Sequence, residues 1–272
     1  MVPTQTPQKA KQRAIIRSVA LPTEHGGWGF LFEPILLGLL VAFSWQGILL
    51  ALAAVGIFLI HQPLRSAIRD RLKGKHSERL VWAERFVVIY GLIAVIPMLI
   101  LLSFASRQFL WPVVLAVPFA LVQLYYDSQN QSRHAVPEIA GALALAMIAP
   151  AIALLGGWAL WPAMVLWLIL ALRAVAAILY VRTRIRRRVG KPDNIAFPWT
   201  AHLSALTVAV GLALTGLAPW LTVLAFVVLT GRFVLGLSPS RQREPIKAIG
   251  FQELGYGLMT AVLVAVGYSL NL

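Results

Sequence analysis

Apolar residues dominate nine segments of helical length along the chain, each bounded by charge, proline or glycine. Such runs are typical of transmembrane helices, because a helix needs about 20 residues to cross the hydrocarbon core of a bilayer. They do not alternate in short segments as the strands of a membrane β-barrel do. The pattern predicts an all-α polytopic membrane protein whose nine transmembrane helices lie at residues 26–44, 47–62, 82–102, 109–126, 137–155, 158–181, 199–217, 219–237 and 250–270.

The first 20 residues differ from the rest of the chain. They are polar, carry four cations and have no central apolar stretch, so they lack the hydrophobic region of a secretory signal peptide. We therefore expect a basic cytoplasmic tail at residues 1–20 and a single transmembrane helical domain at residues 21–272.

The cations lie mainly on one side of the predicted topology. Together with the tail, the connections after the second, fourth, sixth and eighth spans hold 20 of the 24 Lys and Arg residues, whereas the opposite connections hold only Arg107. The positive-inside rule then places the N-terminus in the cytoplasm and Leu272 outside. Because topology accounts for most of the net charge of +14, no nucleic-acid partner is expected.

Composition supports a membrane protein and removes several kinds of chemistry. Of the 272 residues 59% are hydrophobic and 12% charged, and the mean hydropathy is +0.78, which rules out a soluble globular domain. Cysteine is absent, which excludes disulfides, thiolate metal sites and a cysteine nucleophile. The five histidines have no close metal-ligand spacing, and no Walker-type loop or Gly-x-Ser-x-Gly elbow occurs.

Ionisable residues inside the spans or at their ends form the candidate site, because a charge within a bilayer is costly. All of them fall in the cytoplasmic half, which predicts a polar cavity that opens to the cytoplasm and is closed outside by apolar packing. The alternative is that the carboxylates only neutralise the arginines and hold the helices together. The set is Glu24, His25, Glu33, His61, Asp127, Glu138, Arg173, His202, Arg232 and Glu253.

Three arginines of the basic connections lie within about one turn of a span end, namely Arg65, Arg133 and Arg182. From there a guanidinium can reach the cavity mouth and grip a phosphate or carboxylate with two hydrogen bonds. Topology and attraction to anionic lipid headgroups account for most of the other loop cations.

Several of these residues stand in motifs that resemble the YwiC-like family of bacterial membrane proteins. The resemblance runs over most of the chain, brings no established activity, and implies the bacterial cytoplasmic membrane as the location. Its motifs are Leu21-Pro-Thr-Glu-His-Gly-Gly-Trp-Gly29 with Glu33-Pro34, His61-Gln-Pro-Leu-Arg65, Asp127 with Arg133 and Glu138, Ile178-Leu-Tyr-Val-Arg182, and Phe251-Gln-Glu253.

The chain is also distantly similar to the UbiA-type intramembrane prenyltransferases. That similarity implies nine helices, a cytoplasmic N-terminus and a cytoplasmic cavity roofed by the loops after helices two and six. The family holds magnesium with two Asp-rich motifs, but here the corresponding stretches read His61-Gln-Pro-Leu-Arg-Ser-Ala-Ile-Arg-Asp70 and Tyr180-Val-Arg-Thr-Arg-Ile-Arg-Arg-Arg188. Since arginine stands where carboxylate is expected, we expect no magnesium or other metal cofactor. A diphosphate would be held directly by Arg65, Arg69, Arg182 and Arg184.

Three functions remain open. The first is a UbiA-like transferase for a lipid-borne or prenyl diphosphate substrate, in which Arg65, Arg69 and Arg182 bind the anion. Glu33, Asp127 or Glu138 would serve it as base or orienting group. The same arginines could equally hold a quinone-precursor carboxylate without any chemistry. The second is a carrier for a small anion or proton that uses the buried charges. The third is a non-catalytic subunit or assembly factor. In each case membrane lipids are expected partners.

Overall fold

The computed structural model describes residues 15–16, 18–21, 25–72, 74, 77–129, 131, 133–238 and 244–271. It contains helices and no β-strand over these residues, so the predicted all-α fold is confirmed. The long helices are α1 (His25–Val41), α2 (Trp45–Leu72), α3 (Glu78–Phe104), α4 (Leu110–Ser128), α5 (Ala135–Ala146), α6 (Ile148–Leu155), α7 (Leu160–Arg188), α8 (Ala196–Leu214), α9 (Trp220–Gly236) and α10 (Ile246–Leu270). A short 3-10 helix, Arg107–Phe109, precedes α4.

The fifth apolar run forms two helices instead of one. Helices α5 and α6 meet at Met147, whose amide bonds to the carbonyl of Ala144 in a tighter turn at 3.2 Å. The cause is Pro150, which has no amide hydrogen to donate to the carbonyl of Ala146 four residues earlier. Each of the other runs overlaps a single long helix, although the ends of the helices differ from the predicted ones by up to ten residues.

Seven helical segments in the described part of the chain are long and apolar enough to cross a bilayer. They comprise α2, α3, α4 with its preceding turn, α5 together with α6, α7, α8 and α10. Helices α1 and α9 are apolar but have only 17 residues each. The chain is thus a multi-pass membrane protein, and the count of nine spans stays a prediction.

Contacts within the chain divide it into two compact units. Unit 1 comprises Met1–Glu24 and Leu49–Phe104, and unit 2 comprises His25–Ile48 and Ala105–Leu272. In unit 1, α2 and α3 approach closely at Gly56, where a Cβ atom would lie 2.6 Å from the backbone nitrogen of Ala94. A side chain is therefore excluded at this crossing.

In unit 2, α7 is the central helix. It contacts α1, α5, α6, α8, α9 and α10, and it buries large apolar side chains such as Leu166 and Ile169 completely. Helix α1 packs against α10 and α6, and α9 packs against both α8 and α10. Helix α7 is therefore in contact with six other helices of unit 2.

Candidate functional site

The deepest charges of unit 2 are a buried ion pair between α7 and α1. Arg173 Nη1 lies 2.7 Å from Glu33 Oε2, and the two side chains are only 3% and 4% exposed. Gly257 of α10 makes room for the pair, because a Cβ there would lie 2.7 Å from Arg173 Nη2 and 2.8 Å from Glu33 Oε2. The ring of Phe30 lies against the same guanidinium, with its centroid 5.7 Å away.

A second ion pair continues this one across α10 and α9. Arg173 Nη2 donates a hydrogen bond of 2.9 Å to the backbone carbonyl of Glu253, whose carboxylate pairs with Arg232. The Arg232 guanidinium also lies over the ring of Tyr180, 4.3 Å from its centroid. Four charged residues that the sequence placed on separate helices therefore form one network. Two arginines face two glutamates, which is the mutual neutralisation considered as the alternative to a ligand site.

Arg184 extends the network towards the end of α7, and its side chain is 3% exposed. It pairs with Glu244 Oε2 at 2.7 Å and donates to the hydroxyl of Tyr180 at 3.0 Å and to Gln252 Oε1 at 3.3 Å. Sequence reasoning missed Glu244 and Gln252. Glu244 stands next to arginines in a polar connection, a pattern that looks like any solvated loop.

His202 of α8 is packed among aromatic rings. It is 2% exposed and stacks on Phe233 at a centroid distance of 4.4 Å, with Tyr180 edge-on at 6.3 Å. Its Nδ1 lies 2.8 Å from the carbonyl oxygen of Pro198, so we assign the ring proton to Nδ1. Nε2 has no hydrogen-bond partner within the described residues.

A fourth ion pair of the site, Arg182 with Glu138, is accessible. Arg182 Nη1 lies 2.8 Å from Glu138 Oε2 and donates at 3.0 Å to the backbone carbonyl of Arg133, and the pair is 31% and 39% exposed. The side chain of Arg133 is exposed. Asp127, at the end of α4, is half-buried on the same side of unit 2. Arg133, through its backbone carbonyl, and Glu138, through its carboxylate, thus both contact Arg182 at the surface.

The remaining predicted residues lie in unit 1, outside the described residues, or at the start of α1. His61, Arg65 and Arg69 are on α2, and the two arginines are exposed; Arg69 Nε lies 3.8 Å from Asp70 Oδ1. Glu24 is outside the described residues. His25 begins α1, and its side chain is likewise not described.

The interior of unit 2 is charged from mid-helix towards one end only. Arg173 and Glu33 lie near the middle of their helices. Arg184, Arg232 and Glu253 lie closer to the helix ends that adjoin the Arg-rich connections. Beyond them, the buried polar side chains that the described residues of unit 2 contribute are the hydroxyls of Thr222 and Thr260.

Exposure decides which arginine an outside anion can reach. An anion that displaces Glu138 from Arg182 breaks an exposed ion pair, which contributes about 0–1 kcal/mol. An anion that displaces Glu33 from Arg173 would leave the Glu33 carboxylate buried without a counter-charge, which costs about 3–5 kcal/mol. Within the described residues, no three His, Asp or Glu side chains are grouped so as to hold a metal ion.

Comparison with known proteins gives one finding. The family model described as YwiC-like protein matches residues 21–153, just under half of the chain, which confirms the resemblance to that family over those residues. The matched stretch contains Glu33, Arg133 and Glu138 and ends before α7 begins. No curated protein and no solved structure matches the chain.

Proposed function

We propose that this membrane protein binds an anionic amphiphile, such as a prenyl diphosphate or another lipid with an acidic group, at the exposed Arg182–Glu138 pair. Arg182 and Arg133 would hold the phosphate or carboxylate, and Glu138 would be displaced from Arg182 when the anion binds. The difference in exposure carries this proposal. Arg182 can exchange its carboxylate partner for an anion at a small cost in free energy, whereas for the buried Arg173 that cost is large.

The one-sided interior of unit 2 favours a bound ligand over a transported one. A carrier needs polar groups that can receive its substrate in both halves of the membrane. Beyond the level of Arg173 the described residues of unit 2 bury two threonine hydroxyls and otherwise apolar side chains. A ligand that approaches from the charged end and keeps its apolar part in lipid fits such an interior.

We further propose a UbiA-like arrangement of nine spans with the N-terminus in the cytoplasm. Helices α1 and α9 would count as short spans, since 17 residues give about 25 Å and lie at the lower limit for a transmembrane helix. A topology reporter fused after Leu272 should then be active only outside the cytoplasm. Cytoplasmic activity of that fusion would mean an even number of spans.

If the ligand is a prenyl diphosphate, the arginines would neutralise the leaving diphosphate, which is the contribution that a cation clamp makes to such a reaction. Glu138 and Asp127 lie on the same side of unit 2 and would act as base or orienting group for the second substrate. Arginine carries its charge without a metal, so we expect no dependence on magnesium.

The experiment is a titration of the purified protein with a short-chain isoprenyl diphosphate, with magnesium and with an excess of chelator. Arg182→Gln should weaken binding about tenfold or more, since a charge-assisted hydrogen bond contributes about 1.5–3 kcal/mol. Arg107→Gln is the matched control, because Arg107 is also exposed but lies in the connection predicted to be on the opposite side. Equal effects of the two variants, or binding lost on chelation, would overturn the proposal.

A further inference from the structure

The Glu33 carboxylate has one oxygen that the protein leaves unsatisfied. Oε2 is paired with Arg173 at 2.7 Å, but Oε1 is buried and accepts no hydrogen bond from any residue that the structure describes. The residue as a whole is 3% exposed. A buried acceptor without a donor costs about 1–3 kcal/mol, and a charged one more, so this atom calls for a partner.

A second acceptor without its usual donor lies one turn away on the same helix. Pro34 stands inside α1 and has no amide hydrogen, so the carbonyl of Phe30 lacks the donor that a helix normally supplies four residues later. In membrane helices such carbonyls are satisfied by neighbouring side chains or by ordered water. Within one turn of α1, the Glu33 carboxylate and the Phe30 carbonyl thus each have an oxygen without its usual donor.

Glu33, Phe30 and Pro34 all border one cleft between α1, α5 and α7, with a volume of about 10 Å³. A cavity needs about 10–15 Å³ of accessible volume to hold one water molecule, so this cleft has room for one at most. Three of its lining residues are alanines, whose methyl groups offer a guest no polar contact. The other lining residues are Ala142, Ala146, Leu170 and Ala174.

The charges around the cleft select a neutral guest. Glu33 is compensated by Arg173, and Glu253 by Arg232, so the network carries no net charge that a cation would neutralise. An ammonium or metal ion would bring a buried charge without a counter-ion, which is costly. A water molecule adds no charge, and its two hydrogens match the two acceptors.

We propose that one water molecule occupies this cleft and donates one hydrogen bond to Glu33 Oε1 and the other to the carbonyl oxygen of Phe30. The water completes the coordination of the Glu33 carboxylate opposite Arg173 and satisfies the backbone that Pro34 interrupts. This site is separate from the exposed Arg182 pair and does not depend on the ligand proposed for it.

Radiolytic hydroxyl labelling of the full-length protein in lipid nanodiscs tests the water directly, because radicals formed from a bound water modify the side chains beside it. Leu170 borders the cleft and is 3% exposed, and Leu166, one turn earlier on α7, is 0% exposed and does not border it. We expect Leu170 to be labelled several-fold more than Leu166. Equal labelling of the two leucines would overturn the proposal.

An infrared measurement gives an independent reading. The wild-type protein should show a strongly hydrogen-bonded water band that shifts in H₂¹⁸O. Ala146→Val, which fills the cleft, should abolish that band and the labelling of Leu170. Ala153→Val, at a buried alanine outside the cleft, should leave both unchanged. A band that appears only when ammonium is added, and that does not shift in H₂¹⁸O, would assign the cleft to a cation instead. If Ala146→Val does not fold, the measurements on the wild-type protein decide alone.

Discussion

Two arginine–glutamate pairs on α7 have nearly the same geometry and opposite surroundings. Arg173 and Glu33 are 2.7 Å apart with side chains 3% and 4% exposed, whereas Arg182 and Glu138 are 2.8 Å apart with side chains 31% and 39% exposed. The distance between the charges therefore says little about what each pair does. In the interior the attraction is strong and the loss of one partner is costly, but at the surface water competes for both charges.

The comparison also separates two uses of arginine that one helix combines. The buried pair links α7 to α1 and, through Glu253, to α10, so it fixes how these helices pack. The exposed pair links α7 to α5 and can be opened with little effect on packing. An anion-binding group has to be of the second kind.

The largest effect is expected from breaking the buried pair. Arg173→Met removes the cation and leaves the Glu33 carboxylate buried without compensation, which should destabilise the protein by about 3–5 kcal/mol. Thermal unfolding of the purified protein measures this as a lower Tm. Replacing both residues, Arg173→Met with Glu33→Leu, should restore much of the loss. If the double variant is no more stable than the single one, the uncompensated charge is not the cause.

A smaller effect is expected from crowding the same pair without removing a charge. In Gly257→Ala the new Cβ would lie 2.7 Å from Arg173 Nη2, so the pair or α10 must shift, at about 1–3 kcal/mol.

The matched control for that variant is Gly255→Ala on the same helix. A Cβ at this position meets nothing within 4 Å. The change should leave the protein as stable or raise its stability by up to about 1 kcal/mol, because alanine favours a helix over glycine. Similar losses in both variants would mean that the loss in Gly257→Ala does not come from the close contact with the Arg173–Glu33 pair.

The helices could be predicted from the sequence because segments that are mostly apolar over helical length leave the backbone no other way to satisfy its hydrogen bonds in a bilayer. The ends were less predictable. The sixth run was expected to end at residue 181, yet α7 continues to Arg188, because arginines propagate a helix well and these ones bond to neighbouring groups. The break at Met147 was missed although Pro150 is visible in the sequence.

The charged members of the site were also visible, since Glu33, Arg173, Arg232 and Glu253 interrupt apolar runs. Their partners were not. Which carboxylate meets which arginine depends on the rotation of each helix about its axis, and a sequence without contacts does not determine that rotation. Glu244, which pairs with Arg184, was missed for a different reason: it lies in a loop outside the apolar runs.

The smallest effect is expected from opening the exposed pair. Arg182→Gln should change stability by less than about 1 kcal/mol, because both side chains already face water and salt screens their attraction. Unfolding measured at low and at high salt checks this, and any difference from wild type should shrink as salt is added. The same change would remove a guanidinium from the proposed anion site, so a stable protein with weakened anion binding is the expected combination. A fall in Tm as large as that of Arg173→Met would show that Arg182 is structural, and exposure would then fail as the property that distinguishes the two pairs.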